Sequence, residues 1–374
     1  MRIPAADLRA QHEPLRRELM AAFGRVLDAS AFIQGAEVEA FEREFAAFCG
    51  VQHAIAVSNG TDALALALRA LDIGPGDLVA LPDFTFAATA EAVCHVGAQP
   101  LLVDIDPNTF TLDPECLRAV LQGQKGPVRA IIAVHLYGQP AAMAEITALA
   151  DEVGAAVIED AAQAHGARFA GRRTGGLGRA GCFSFYPSKN LGALGDAGAV
   201  TTDDAALAAR VALLRDHGQA AKYVHSVVGF NCRMDGVQAA LLRVKLSHLE
   251  SWNARRQALT ARYRRALADV PGITLPEAAA DREHVYHLFV VRCRERDALH
   301  RHLNEQGIAA GVHYPAPIHL QPALAFLGYR AGDFPVAELA AREVLALPLY
   351  PELADAAVEA VCEAVRAWAG SVRK

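Results

Sequence analysis

The chain has 374 residues, 53% of them apolar, and a formal net charge of −6, which fits a large domain plus a smaller one and excludes a global basic field for nucleic acid or an anionic membrane. A small phosphorylated ligand, which needs only local donors, stays within reach. The first seven residues lack the apolar run of a signal peptide, no stretch nears the roughly 20 apolar residues of a membrane span, and the seven Cys stand singly with no Cys-x-x-Cys pair, so the expectation is a cytoplasmic enzyme with reduced thiols and no structural zinc.

In chain order, short apolar runs alternate with longer amphipathic stretches. Strands are expected over 54–58, 78–81, 99–104, 129–135 and 155–159, with helices over 61–71, 85–96, 114–121 and 143–153 between them. This alternation predicts an α/β fold with a mostly parallel sheet sandwiched by helices. Ligands of such sheets bind at the carboxyl ends of the strands. A further strand is expected over 182–186. Past Asp203 a helix runs to about 216, a loop follows, and one long helix is expected over 235–267. The Val270-Pro271-Gly272-Ile273 segment ends it. Then come a strand over 288–293, a helix over 296–306, and terminal helices over 336–345 and 355–368. The domain boundary is placed at 250, inside the long helix: residues 1–250 form a large domain with an N-terminal helical segment, and 251–374 a small C-terminal α+β domain.

Four segments carry chemistry-bearing residues. In Ser58-Asn59-Gly60-Thr61-Asp62, a strand meets a helix through a glycine turn. The first amides of a helix lack intrahelical partners and, with the helix dipole, favour an anion. Ordinary capping by Ser58, Asn59 or Thr61 explains the same residues. In Val157-Ile158-Glu159-Asp160-Ala161-Ala162-Gln163, an apolar strand delivers Asp160 to the sheet edge. There it is placed either to hold a pyridine nitrogen protonated or to cap the next helix. In Ser184-Phe185-Tyr186-Pro187-Ser188-Lys189-Asn190-Leu191-Gly192, Lys189 follows a short aromatic strand among small residues. Burial would lower its pKa and leave a free amine able to attack an aldehyde; a solvated loop lysine is the plain alternative. In Gly229-Phe230-Asn231-Cys232-Arg233-Met234-Asp235, polar residues enter the long helix with Asp235 as its cap.

Other patterns carry less. Gly176-Leu177-Gly178-Arg179-Ala180-Gly181 matches a dinucleotide fingerprint literally, but a strand follows it where a helix is required. The histidines at 284, 287, 300 and 302 lack acidic partners at ligand spacing, so no metal is expected.

Taken together and in order, the four segments resemble the DegT/DnrJ/EryC1/StrS family of sugar aminotransferases. The resemblance runs from Ile33-Gln34-Gly35-Ala36-Glu37 to His313-Tyr314-Pro315-Ala316-Pro317-Ile318-His319. It implies a fold-type I enzyme dependent on pyridoxal 5′-phosphate (PLP). It implies Lys189 as the lysine that bonds the cofactor and Asp160 as the carboxylate on the pyridine nitrogen. Gln163 becomes the partner of the phenolic oxygen. Gly60, Thr61 and Ser184 become phosphate contacts, and Phe86, in Pro82-Asp83-Phe84-Thr85-Phe86, the aromatic stacked on the ring. Asn231 is implied to reach the phosphate of a neighbouring subunit's site, hence a homodimer with shared sites. Tyr186, Tyr314 and His319 are implied to line the sugar-nucleotide pocket.

The stretch after Lys189 is similar to the subgroup that aminates C3 of dTDP-linked 3-keto-6-deoxyhexoses with L-glutamate as donor and 2-oxoglutarate as by-product. UDP-linked or 4-keto sugars are the alternatives. Lysine at 189 argues against the family's dehydratases, which carry histidine there. Lys189, Asp160 and Gln163 together argue against a PLP-binding regulator without catalysis. Ala197 and Cys232 depart from the family pattern, where Gly and Tyr or Ser are common.

Overall fold

A computed structural model describes residues 2–124 and 126–372. Its centre is a seven-stranded sheet: β1 (His53–Val57), β2 (Leu78–Pro82), β3 (Gln99–Val103), β4 (Val128–Val134), β5 (Ala156–Asp160), β6 (Ala180–Ser184) and β7 (Gly198–Thr202). The spatial order is β1-β7-β6-β5-β4-β2-β3. Strands β2 to β6 pair in parallel, and β7 runs antiparallel to both β6 and β1. Six strands therefore point the same way. Their residues are almost all buried, as expected when helices cover both faces of a parallel sheet and the strands read as apolar runs.

Helices α3 (Gly60–Ala70), α4 (Ala88–His95) and α7 (Ala205–Arg215) fill one side with Leu64, Leu68, Val93 and Val211. On the other side lie α2 (Ala36–Cys49), whose Phe41 and Phe45 meet Phe185 and Phe183 edge-on, and α8 (Gly236–Leu246). Beside them α5 (Pro114–Gly123) and α6 (Met143–Val153) cover β3 and β4. The N-terminal α1 (Leu8–Ala29) packs Leu15, Leu19, Ala22 and Val26 on α8.

A second apolar cluster gathers Tyr263 of α9 (Leu249–Leu267), Phe289 of β8 (Phe289–Arg292), Leu345 of β9 (Val344–Leu347), Leu299 of α10 (Arg296–Glu305) and Val361 of α12 (Asp355–Val372). Ile3 joins it from the other end of the chain. Strands β8 and β9 pair antiparallel.

Three expectations change. The helix over 235–267 is two helices broken at Ser247–His248. The apolar pattern runs on because each helix is amphipathic, but α8 buries its face on α1 and α2 while α9 turns to the second cluster. The helix over 336–345 is shorter: α11 (Pro335–Glu343) stops and Val344–Leu347 becomes strand β9. A short apolar run carries no periodicity that separates the two. The helix over 85–96 begins only at Ala88, which leaves Asp83–Phe86 free to turn over the sheet edge. Among the described residues, no helix is long and apolar enough to cross a membrane, and no group of His, Cys, Asp and Glu forms a metal cluster.

Candidate active site

At the carboxyl edge of the sheet lies a cavity of about 690 Å³ lined by Gly60, Thr61, Phe86, Asp160, Gln163, Ser184, Tyr186, Lys189 and Tyr314, among others. The ends of β1, β2, β4, β5 and β6 supply its walls, and the segment with His313 and Tyr314 closes it from the C-terminal part of the chain.

The floor is the turn between β1 and α3. Asn59 caps α3, its side chain accepting from the Asp62 amide at 2.8 Å and its carbonyl from the Ala63 amide at 3.1 Å. The amides of Gly60 and Thr61 have no partner among the described residues, and the helix dipole adds to their pull on an anion. A Cβ at Gly60 would stand 2.7 Å from the Ser184 Cβ. Only glycine lets the two strand ends close into a cradle, with the Ser184 hydroxyl on its rim.

Asp160, last residue of β5, is buried. Its Oδ2 accepts from the Thr89 hydroxyl at 2.8 Å and its Oδ1 from the Ala162 amide at 3.2 Å. Thr85 extends the chain, its hydroxyl 3.0 Å from that of Thr89. Burial pushes the Asp160 carboxyl above its usual range, opposed by Thr89, Ala162, Lys189 and His135. A cationic ring nitrogen placed there would complete the charge balance. Gln163 is oriented by its oxygen: Oε1 accepts from the Tyr137 amide at 2.7 Å, so Nε2 is the end that faces outward, and it donates to the Tyr314 hydroxyl at 3.1 Å.

Lys189 sits in the turn after β6, its amide donating to the Tyr186 carbonyl at 2.8 Å. Burial pushes its amine down to about 8, against the upward pull of Asp160. Behind it stands a polar layer. Asn190 donates to Asn253 at 2.9 Å and to the Val285 carbonyl at 3.2 Å. His287 lies 3.2 Å from Asn190, and His165 lies 2.9 Å from the Ser184 carbonyl. Burial holds His165 down near 3 and His287 well below its usual value, so both rings are neutral beside the lysine. Lys245 of α8, wholly buried, donates to the Gly192 carbonyl at 2.5 Å and ties the same loop from below.

Two implied residues lie outside the cavity. Asn231, expected to serve a neighbouring subunit's site, is exposed, in a bridge to Asp216. His319, expected on the sugar pocket, is buried away from it between Asp83 and Glu338. The glycine pattern at 176–181 binds a carboxylate of its own chain: the Leu177 and Gly178 amides donate to Glu159 at 2.7 and 2.9 Å, and the Gly175 amide at 2.7 Å.

Residues 14–366 match the DegT/DnrJ/EryC1/StrS aminotransferase family. The chain belongs to this family. It is 49% identical, over 99% of its length and 100% of the relative's, to the erythromycin biosynthesis sensory transduction protein EryC1 of Saccharopolyspora erythraea. It is 48% identical to the dTDP-3-amino-3,4,6-trideoxy-alpha-D-glucose transaminase of Streptomyces venezuelae, over 99% of this chain and 97% of that one. The crystal structure of S. venezuelae DesV in complex with a ketimine intermediate superposes with a TM-score of 0.96, at 49% identity, over 98% of both chains.

As a DegT/DnrJ/EryC1/StrS aminotransferase, the chain has side chains that fit a PLP molecule on its own geometry: free amides for a phosphate, a buried carboxylate for a pyridinium, an outward amide for a phenolate, and a lysine with a lowered pKa. Its departures from the family pattern lie behind the site. Ala197 is buried and its carbonyl takes the Phe185 amide at 2.7 Å; the Cys232 carbonyl takes the Ser58 amide at 3.1 Å. Neither lines the cavity. Sequence reading missed Thr89, His165 and Asn253. Thr89 had a signal, the Thr85–Thr89 spacing of four. The other two had none, since Asn253 reaches Asn190 and His165 reaches the Ser184 carbonyl only through the fold.

Proposed function

We propose that this aminotransferase moves the amino group of L-glutamate onto C3 of a dTDP-linked 3-keto-6-deoxyhexose, giving the 3-amino-3,6-dideoxyhexose and 2-oxoglutarate, with PLP held in the cavity. The observation that carries it is the placing of Lys189, Asp160 and the Gly60–Thr61 amides on the walls of one cavity. Likeness to a dTDP-amino-sugar transaminase at 48% identity supports the substrate class.

In this reading Gly60, Thr61 and Ser184 take the phosphate, Phe86 stacks on the ring, and Gln163 donates Nε2 to the phenolic oxygen. When bound, the cofactor supplies an electron sink, its pyridine nitrogen kept protonated by Asp160. Lys189 would hold the cofactor through Nζ until glutamate displaces it; the freed Nζ would then take the proton from the amino acid's Cα and pass it on to the cofactor, which its lowered pKa permits near neutral pH. The same nitrogen acts in reverse on the keto sugar, so the kinetics are ping-pong. Tyr186 and Tyr314 border the substrate's side of the cavity.

Residues 1–250 would hold the cofactor and 251–374 close the site through Tyr314. A cytoplasmic homodimer completes the proposal. Exposed Tyr223, Val224, Val228 and Phe230 beside Asn231 form an apolar face that a second copy would cover, bringing Asn231 to the partner's phosphate.

The test is a panel of 3-keto and 4-keto sugars on dTDP and UDP, each with glutamate and PLP-loaded protein, products identified by mass and NMR. A 3-amino product from the dTDP substrate supports the proposal. Binding of PLP with no glutamate-dependent loss of its lysine-bound absorbance would overturn it and favour a regulator.

A further inference from the structure

The Asp83–His319 pair is buried, ionisable and outside the cavity. Both side chains are fully buried, with His319 Nδ1 2.6 Å from Asp83 Oδ2. The His319 amide donates to Asp83 Oδ1 at 2.8 Å, and the Ile318 amide to the Asp83 carbonyl at 2.8 Å. On the far side His319 Nε2 lies 3.3 Å from Glu338 Oε1 of α11, and the ring packs on Phe334 at 4.9 Å. Asp83 is itself anchored, its amide donating to the Val103 carbonyl of β3 at 2.8 Å.

Each end of this contact leads to an aromatic ring on the cavity. Phe86 follows Asp83 by three residues. Tyr314 precedes His319 by five, through Pro315 and Pro317, whose fixed φ makes the link stiff. The Phe86 and Tyr314 rings lie 5.7 Å apart, Phe84 backs Tyr314 at 6.4 Å, and the Tyr314 hydroxyl takes the Gln163 amide. Among the described residues, no other contact between ionisable side chains joins the 83–86 turn to the 314–319 segment.

We infer that His319 is a positioning residue: with Asp83 it clasps the segment bearing Phe86 to the segment bearing Tyr314 and fixes both rings over the cavity. It has no open ring face for a sugar, so its effect reaches substrate only through those rings. The inference rests on the reading that PLP lies under Phe86. Because the ring serves both amino donor and keto sugar, a loosened clasp slows both half-reactions, whereas a sugar contact would affect one.

The experiment uses PLP-loaded wild type, His319→Leu, His319→Asn, which keeps a donor toward Asp83, and Glu338→Gln, which leaves the Asp83 contact in place. Single-turnover rates are followed with glutamate alone and, from the aminated cofactor, with keto sugar. His319→Leu is expected to slow both by similar factors on the order of 10²-fold, the scale of a ~1 Å misplacement, and to weaken the visible circular dichroism of bound PLP. His319→Asn restores most of both. If His319→Leu does not fold, Asp83→Asn, which weakens the same contact, is the test, with a smaller and again equal slowing of both half-reactions; Glu338→Gln, which keeps the contact, is expected to leave both rates near wild type. Slowing confined to the keto-sugar step, or His319→Leu or Asp83→Asn with unchanged rates and dichroism, overturns the clasp. The dichroism needs no turnover: a wild type that binds PLP but fails to convert glutamate refutes the transaminase reading, while the dichroism of the variants still decides on the clasp.

Discussion

Gly60 and Ser184 face each other so closely that a Cβ at position 60 would lie 2.7 Å from the Ser184 Cβ. The first residue of α3 and the last of β6 thus meet where two amides are free. Gly60→Ala must push these strand ends apart, and overpacking of this kind costs about 1–3 kcal/mol. If that strain falls on the cofactor-bound state, PLP affinity drops by roughly 5- to 150-fold. Equilibrium titration of the apoprotein with PLP measures it, and an unchanged affinity would place the phosphate elsewhere.

Asp160→Asn keeps the size of the side chain and an oxygen for the Ala162 amide, but removes the charge. Stability should change little, because burial already opposes that charge. Turnover should fall on the order of 10²- to 10³-fold, as when one fixed electrostatic partner of a reaction is lost. Steady-state rates beside a thermal melt separate the two effects.

The Lys189 amine, held near 8 by burial against the pull of Asp160, predicts a pH profile. Only the neutral amine attacks an aldehyde, and its fraction rises as pH passes upward through the pKa. The rate of PLP uptake by apoprotein should therefore climb with a midpoint near 8 and level off above it. An ordinary lysine would keep climbing to about 10.4. In Asp160→Asn the upward pull is gone, so the midpoint should move lower. A midpoint that rises in that variant would contradict the assigned cause. Lys189→Ala should take up PLP without the lysine-bound absorbance and lose about 10²- to 10⁴-fold in turnover, the range for a lost general acid–base group.

The sheet and the residues at its carboxyl edge were legible because strand–turn–helix grammar is local. Gly60, Asp160, Gln163 and Lys189 each lie at or just after a strand end, and parallel strands bring those ends together, while Ser184, the last residue of β6, came only through the family resemblance. His319 was not legible. Its segment does border the cavity at Tyr314, but which way a side chain points five residues on depends on Asp83 and Glu338, two distant partners. The same holds for Ser247–His248, where α8 and α9 part company because their buried faces meet different cores. The shift of 344–345 from helix to strand likewise depends on β8, more than fifty residues earlier.

Glu159 gives the last test, and it separates a structural glycine loop from a nucleotide site. Its carboxylate accepts the amides of Gly175, Leu177 and Gly178 and lies 3.0 Å from His135 Nε2, fully buried. His135 Nδ1 accepts the Ala141 amide at 3.0 Å, so the proton sits on Nε2 and points at Glu159. Glu159→Ala would leave the buried Gly175 amide, the part-buried Leu177 and Gly178 amides and one imidazole N–H without their acceptor. A buried donor left unsatisfied costs about 1–3 kcal/mol, and the urea midpoint should fall accordingly. Glu159→Gln keeps one acceptor oxygen and should lose less. If the glycines at 176–181 held the sugar nucleotide instead, Glu159→Gln would raise the KM for that substrate. The geometry predicts an unchanged KM together with a lowered midpoint.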